Sequence, residues 1–512
     1  MRTLLLLSLV LIASTLSVVS QNVTITPGGI TPASSYPRLT YDAILAIPNP
    51  AEGDIAYDLT FKCLRVFNGN KWVCTITNNS DLTPNITVIA SEGGSENDNS
   101  QGVAVDAGGN VYVVGTYGGT ATFGSTALTT ITSTGSIDIF IAKYSSAGNL
   151  QWVKSAGGPD IDQSQSIAVD GAGNVYITGF YRATATFENT SVTALDRDDI
   201  FVAKYDTNGN FQWVRSAGST LEDSGRGIAV DAGGNVVVTG YYKLTATFGN
   251  QSVISAGGED VFFAKYDGSG NLQWVKSAGG TGDDRGLDIA TDTNGNLYAT
   301  GQYLETATFE GNAITSAGGF DVFVTKYSSD GIFQWLRTGG GISHDYGQSI
   351  AVSPNGLVAV TGGFQNTALF EATGVTSAGN FDVFIVKYNS SGSFLWVRSA
   401  GGTGYDYGYG VAVDAGENSY ISGVFAGTAK FGTATKTSAG NFDLFVAKYT
   451  GSGGFQWVQT AGGFNDDLAV GVAIDTGNNV FFAGSFSFSS MIGNITLTSA
   501  GGIDMIIGRL EK

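Results

Sequence analysis

Seven aspartates recur at matched places along the chain: Asp98, Asp162, Asp223, Asp284, Asp345, Asp406 and Asp467. Carboxylates in such a series can do one of two things. They can ligate a hard cation such as Ca2+, which takes several oxygen ligands, or they can accept backbone N–H groups where the chain turns. One ion does not need seven copies, whereas a turn made seven times does. The turn role is therefore expected, with a Ca2+ site as the alternative and no other metal or cofactor implied. His344 is the only histidine, so a multi-histidine zinc site cannot form within one chain. A Ser-His-Asp triad would have to use it, and no G-x-S-x-G elbow accompanies it.

A second group could bind rather than react. His344, Tyr346, Tyr405, Tyr407, Tyr409 and Phe464 fall at related places in consecutive repeats. Such rings stack on sugars or apolar protein surfaces; the alternative is that they fill the tips of the fold. The position after each recurring acid holds Asn99, Gln163, Ser224 and Arg285, then Tyr346 and Tyr407, then Leu468. Four polar residues serve that slot elsewhere, so packing alone does not ask for tyrosine. The stretch "SSDGIFQW" (Ser328–Trp335) approaches a sialidase Asp box but puts Trp four residues after Gly rather than three. Paired carboxylates of a polysaccharide-active enzyme, glycosidase or lyase, are the alternative function, because acids are plentiful.

The elements that must position these residues come from a repeat. Asp138, Asp199, Asp260, Asp321, Asp382, Asp443 and Asp504 are each 61 residues apart, as are Trp152, Trp213, Trp274, Trp335, Trp396 and Trp457. A fixed period of this kind marks a repeat architecture. Runs of Val, Ile, Phe, Tyr and Thr broken by Gly, Asn and Asp read as all-β. Around the third unit four strands are expected, Gly227–Asp231, Asn235–Tyr242, Val261–Tyr266 and Leu272–Ser277, here a, b, c and d. Four antiparallel strands repeated radially make a propeller blade. The last unit ends at strand c, Asp504–Leu510, and "NITVIASEGG" at the front aligns with "NLQWVKSAGG", Val88 taking the Trp place. The expected fold is an all-β, seven-bladed propeller closed by the strand Asn85–Ala90. Its a-to-b and c-to-d turns are short and lie on one face; the longer b-to-c and d-to-a connections form the other, where recognition is expected. Trp residues in every unit are expected as inter-blade core rather than as sugar platforms.

At this point the chain resembles the SBBP (seven-bladed beta-propeller) repeats of secreted bacterial proteins. The matching residues are "DLFVAKY" (Asp443–Tyr449), "GNLQWVKSAGG" (Gly270–Gly280) and "VAVDAGGNVYVVG" (Val103–Gly115) with their copies, over about residues 85–512. The resemblance implies a fold and carries no catalytic residues over. Departures are Val88 for Trp, Ser353 for Asp in the a-to-b turn, and "FSFSSMIGN" in the last unit.

The rest of the chain bounds location and partners. Arg2 followed by apolar Leu4–Ala13 and small residues before Gln21 reads as a signal peptide, residues 1–20, rather than a membrane span. The mature protein is expected to be secreted, periplasmic or at the cell surface, without membrane insertion. A formal net charge of −19 argues against nucleic acid as a partner. A glycan or another extracellular protein is the expected ligand of a non-catalytic binding or scaffold module. Residues 21–84 read as a small separate β-module. Within it a two-residue turn at Asn68-Gly69 would set Cys63 opposite Cys74, and export would favour a disulfide between them, with two free thiols the alternative.

Overall fold

The computed structural model describes residues 84–511 except 126, with shorter stretches at 8–9, 21–22, 38–39, 41–47, 55–58, 63–67 and 72–76. The expected signal peptide thus lies outside the described residues apart from Ser8–Leu9. The chain divides into two compact units, Met1–Thr83 and Pro84–Lys512.

The larger unit is built from antiparallel strands in the repeating order the sequence suggests. In the third repeat, strand a (Ser224–Val230) pairs with b (Val236–Tyr242), b with c (Asp260–Tyr266), and c with d (Leu272–Gly280). Strand b is buried at every residue but Tyr241, which is half-buried, and this is why its sequence, VVVTGYY, does not alternate. Asp231 makes the a-to-b turn: one carboxylate oxygen accepts the N–H groups of Gly233 and Asn235, both at 2.9 Å. Gly234 sits at φ 76°, a conformation that costs a glycine little. Where the fifth repeat has Ser353 instead, its hydroxyl accepts the Leu357 N–H at 3.0 Å and keeps the turn.

Successive units are joined by the tryptophans. Trp213 donates from Nε1 to the Gly268 carbonyl in the next unit at 3.2 Å, and its ring lies against Gly270, where a Cβ would come within 2.8 Å of the indole. Trp152, Trp335 and Trp396 repeat both contacts one unit along. Burying each indole hides about 150–250 Å², an upper bound of roughly 4–6 kcal/mol at about 25 cal/mol/Å².

The b-to-c connection differs from the expected loop. Thr245–Phe248 and Gln251–Ile254 form a further hairpin, and Thr247 and Phe248 pair with Gly218 and Ala217 at the end of the preceding strand d. In the fifth repeat the same ribbon is continuous with b and c, as Val358–Phe370 and Thr373–Tyr388, bending where Asn366 takes φ 55°. The sequence T-A-T-F explains it. Ala246 and Phe248 turn inward, Phe248 against Phe262 at 4.9 Å between ring centroids, while the threonines face solvent. Each ribbon therefore ties one unit to the one before it.

At the front of the larger unit, Asn85–Gly94 pairs antiparallel with the last strand, Ile495–Glu511, and through Gly93 and Gly94 with the ribbon of the first repeat. Its register carries one correction. Val88, aligned with Trp, lies opposite Gly508; Thr87 takes the place opposite Arg509, and Ile89 is the side chain against Gly148. The bulge that follows the c-to-d turn elsewhere has moved to Ile89, because no indole is there to fill its usual place.

In Met1–Thr83 a four-stranded sheet holds Arg38–Leu39, Ile55–Asp58, Cys63–Phe67 and Trp72–Ile76, with Ile44, Ala56 and Trp72 buried. The hairpin register also differs from the expectation. Phe67 pairs with Trp72, so four residues separate the strands, and Cys74 lies opposite Arg65 rather than Cys63. The pull of Asn68-Gly69 toward a two-residue turn loses to the register that sets Phe67 against Trp72, 5.6 Å between ring centroids. The two cysteine side chains lie outside the described residues.

Candidate functional site

The seven recurring acids are buried in the turn from d to the next a. One oxygen of each accepts the N–H of the residue four places earlier: Gly158 to Asp162 at 2.6 Å, Gly280 to Asp284 at 2.7 Å, Gly402 to Asp406 at 2.7 Å, and so on round the series. The second oxygen of five of them takes an N–H at the end of the following strand b, as Lys243 to Asp223 at 2.8 Å and Leu304 to Asp284 at 3.1 Å. They act as staples across the turn. Among the described residues no three His, Cys, Asp or Glu groups gather so as to hold a metal ion.

The aspartates that open strand c stand beside them. Each accepts one N–H, as Ala256 to Asp260 at 3.0 Å and Ala378 to Asp382 at 3.1 Å, and each keeps its other oxygen buried without a hydrogen-bond partner. The two series meet at the glycines ending strand d. A Cβ placed on Gly93 would lie 2.4 Å from Asp504 Oδ1 and 3.0 Å from Asp98 Oδ2. Burial pushes these acids up: Asp98, Asp162, Asp284, Asp345, Asp199 and Asp382 to about 7, Asp223, Asp406, Asp467, Asp260 and Asp321 to about 6, neighbouring carboxylates adding to several. Buried in the turns, these paired carboxylates are not placed to flank a glycosidic bond.

The proposed binding residues fall into four placements. His344, Tyr346 and Tyr405 join a continuous aromatic tract. His344 is 5.5 Å from Phe320 and stacks on Tyr346 at 6.0 Å; Tyr346 stacks on Phe381 at 5.5 Å; Phe381 meets Tyr405 at 5.3 Å, and Tyr405 meets Phe442 at 5.7 Å. Tyr407 lies beneath, only 5% exposed, in a hollow that exists because Gly363 has no side chain: a Cβ there would come within 2.4 Å of the Tyr407 ring. Other units hold Gln302, Tyr241 or Val424 at that place. Tyr407 is therefore a supporting residue rather than an exposed platform. Tyr409 turns toward a central cavity. Phe464, whose carbonyl accepts the Asn441 N–H beside Phe442 at 3.4 Å, is 81% exposed, and Ile342 at the same slot two units earlier is 77% exposed.

Sequence reasoning missed Phe320, Phe381 and Phe442. Their signal was the residue just before the strand-c aspartate, which reads Asp198 and Glu259 in two units and Phe in the next three. In the earlier units this region is ionic. Arg182 pairs with Asp198 at 2.7 Å, Lys243 with Glu222 at 3.2 Å and Glu259 at 3.4 Å, and Arg285 with Glu259.

The four-stranded repeat tied by tryptophans and ribbons defines an all-β protein with a β-propeller fold. Residues 151–179 match the SBBP family, described as a beta-propeller repeat. The chain is 24% identical over 431 residues to an uncharacterized WD repeat-containing protein of Acanthamoeba polyphaga mimivirus, covering 66% of this chain and 31% of that one. It is 26% identical over 397 residues to the regulatory protein FlaEY of Caulobacter vibrioides, covering 68% of this chain and 40% of that one. It thus spans well under half the length of either curated relative. Among solved structures it is similar to Sqt1 from Chaetomium thermophilum, with a TM-score of 0.41 and 10% identity over 83% of this chain and 100% of that one. Among the described residues no helix is long and apolar enough to cross a membrane.

Proposed function

We propose that the larger unit is a seven-bladed propeller, closed by Asn85–Gly94, that serves outside the cytoplasm as a non-catalytic docking module. The seven copies of the strand-c aspartate and the pairing of Asn85–Gly94 with the last strand support the ring. The signal-like N-terminus supports the location. One observation carries the docking reading: slots that are polar or ionic in the earlier units become a joined aromatic tract from Phe320 to Phe442, with apolar Ile342 and Phe464 exposed at its tips. The tips are apolar and the tract's rings stack mainly on one another, which suits another extracellular protein better than a glycan. The test uses residues the fold already accepts. Thr220, Thr281 and Thr403 occupy the slot of Ile342 and Phe464 in other units, so Ile342→Thr with Phe464→Thr should fold normally. Partner capture from the secreted fraction and a glycan array, each with wild type and double variant, give the readout. Binding lost in the double variant supports the reading. A partner held equally by both places the docking surface elsewhere, and a signal on the glycan array alone makes the ligand a glycan.

A further inference from the structure

The first strands of successive units surround a cavity of about 480 Å³, lined from Asn99–Val103 round to Leu468–Val472. That volume lies within the range of small-molecule sites, about 300–1,000 Å³. One equivalent place, two residues after the position that follows each turn-stapling acid, supplies Gln101, Gln165, Arg226, Leu287, Gln348, Tyr409 and Val470. All seven line the cavity. Three carboxamides, a phenol and one guanidinium thus face a shared, partly open cavity where two apolar residues suffice elsewhere in the ring.

Arg226 is the cation of this lining, and it is poorly satisfied. Its Nη1 donates to Gln165 Oε1 at 3.2 Å and its Nη2 to the Tyr241 hydroxyl at 3.3 Å, both long; its buried Nε has no hydrogen-bond partner. Among the described residues it makes no ion pair, although the chain carries a net charge of −19. Its neighbour Arg285, stacked on the same Tyr241 ring, is paired with Glu259. Asp288, the carboxylate of the lining, is spoken for. Its oxygens accept Ser349 Oγ at 2.8 Å, the Ile350 N–H at 2.9 Å and the Ile289 N–H at 2.8 Å. A guanidinium with free N–H groups, flanked by amides in a cavity, recognises a planar anion.

We propose that this central cavity binds a small, singly charged carboxylate bearing hydroxyl groups, a sugar acid by class. Arg226 takes the carboxylate, while Gln101, Gln165, Gln348 and the Tyr409 hydroxyl take the hydroxyls. A single cation sharing its cavity with Asp288 favours one negative charge over the two of a phosphate monoester. Tyr407 touches both places, its ring 5.0 Å from Tyr409 and 5.9 Å from Tyr405 and its hydroxyl donating to Gln348 Oε1 at 3.4 Å, but the ligands differ, so glucuronate binding and partner capture test the two readings independently.

The test is calorimetric titration of the intact protein with D-glucuronate, with D-glucose as the neutral analogue and inorganic phosphate as the competing anion. Glucuronate should bind, with glucose and phosphate each at least tenfold weaker. Arg226→Leu should abolish binding without lowering the melting temperature, because Leu287 already occupies the same place in the next unit. Arg226→Lys should retain part of the affinity, and Arg285→Gln should leave it unchanged. If Arg226→Leu does not fold, Gln348→Leu and Arg226→Lys decide, each with weakened glucuronate binding expected. No glucuronate binding at millimolar concentration, equal binding of glucose or phosphate, or unchanged affinity in the Arg226 variants overturns the proposal.

Discussion

Two arcs of the same series of repeats use the same slots differently. Before the strand-c aspartate, one arc has Asp198 and Glu259, the other Phe320, Phe381 and Phe442. After the turn-stapling acid, one has Ser224 and Arg285, the other Tyr346 and Tyr407. Beneath both arcs the aspartates and their hydrogen bonds are alike: Asp223 and Asp284 accept the same backbone groups as Asp345 and Asp406. The turns are thus held by buried carboxylates that do not depend on what is displayed above them. A slot outside that framework of turns can carry an ion pair in one unit and an aromatic ring in the next.

The sharpest way to break this comparison is at the slot after the acid. Tyr407→Ala should destabilise by about 3–5 kcal/mol, the cost of emptying a large buried aromatic. Ser224→Ala, in the same slot of the ionic arc, should cost under about 1 kcal/mol. Urea unfolding of both variants gives the ratio, and equal costs would mean that Tyr407 is not seated over Gly363.

The shared framework predicts the opposite pattern. Asp345→Ala and Asp284→Ala each strip the partner from two backbone N–H groups and should both cost about 2–4 kcal/mol. A large difference between them would show that the two arcs are not built on one frame.

The same acids set a pH dependence. Their folded-state values are raised from the usual 3.8 to about 6 or 7, so between pH 4 and 7 the folded chain binds more protons than the unfolded one. Stability from this source is full below about pH 4 and is lost as pH rises through 6 to 7. The turn aspartates such as Asp170 and Asp292 are shifted below 3.8 by Asn, Tyr and backbone donors that outweigh burial, and their contribution is lost as pH falls through those lowered values. The melting temperature should therefore be higher at pH 5 than at pH 7.5, and Asp382→Asn should flatten that slope. A profile rising from pH 5 to 7.5 would contradict the burial of these pairs.

The smallest effect belongs to the ionic arc. Lys243→Ala should cost less than about 1 kcal/mol, and high salt should erase most of that. A larger, salt-resistant loss would make the ionic arc structural.

Much of this was legible in advance, for identifiable reasons. The 61-residue period, the Asp-x-x-Gly-Asn turns and the strand at Asn85 follow from local chemistry repeated in register. The outer ribbon is hard to see in the sequence because its tight turns carry no common signal, with Glu188, Glu310 and Glu371 at positive φ in three units and Gly249, Gly432 and Gly493 in three others, although Thr-Ala-Thr-Phe alternates as a strand should. The burial of Tyr407 is not visible in its own repeat, because the hollow that holds it is made by Gly363, in another unit. The three phenylalanines are masked by position, since each adjoins the aspartate that recurs in every unit while the residue before it varies. The hairpin register at Cys74 was set by Phe67 against Trp72, a pairing that the turn dipeptide does not announce.

Whether the aromatic arc is a docking surface can be measured most directly from its exposed tips. A photo-reactive phenylalanine analogue placed at Ile342 or Phe464, and separately at Thr220 or Thr281 in the same slot of the ionic arc, would be irradiated with the secreted fraction of the source cells. One partner cross-linked from positions 342 and 464, and absent from 220 and 281, is the predicted result. Equal cross-linking from all four positions, or adducts from the threonine positions alone, would contradict it.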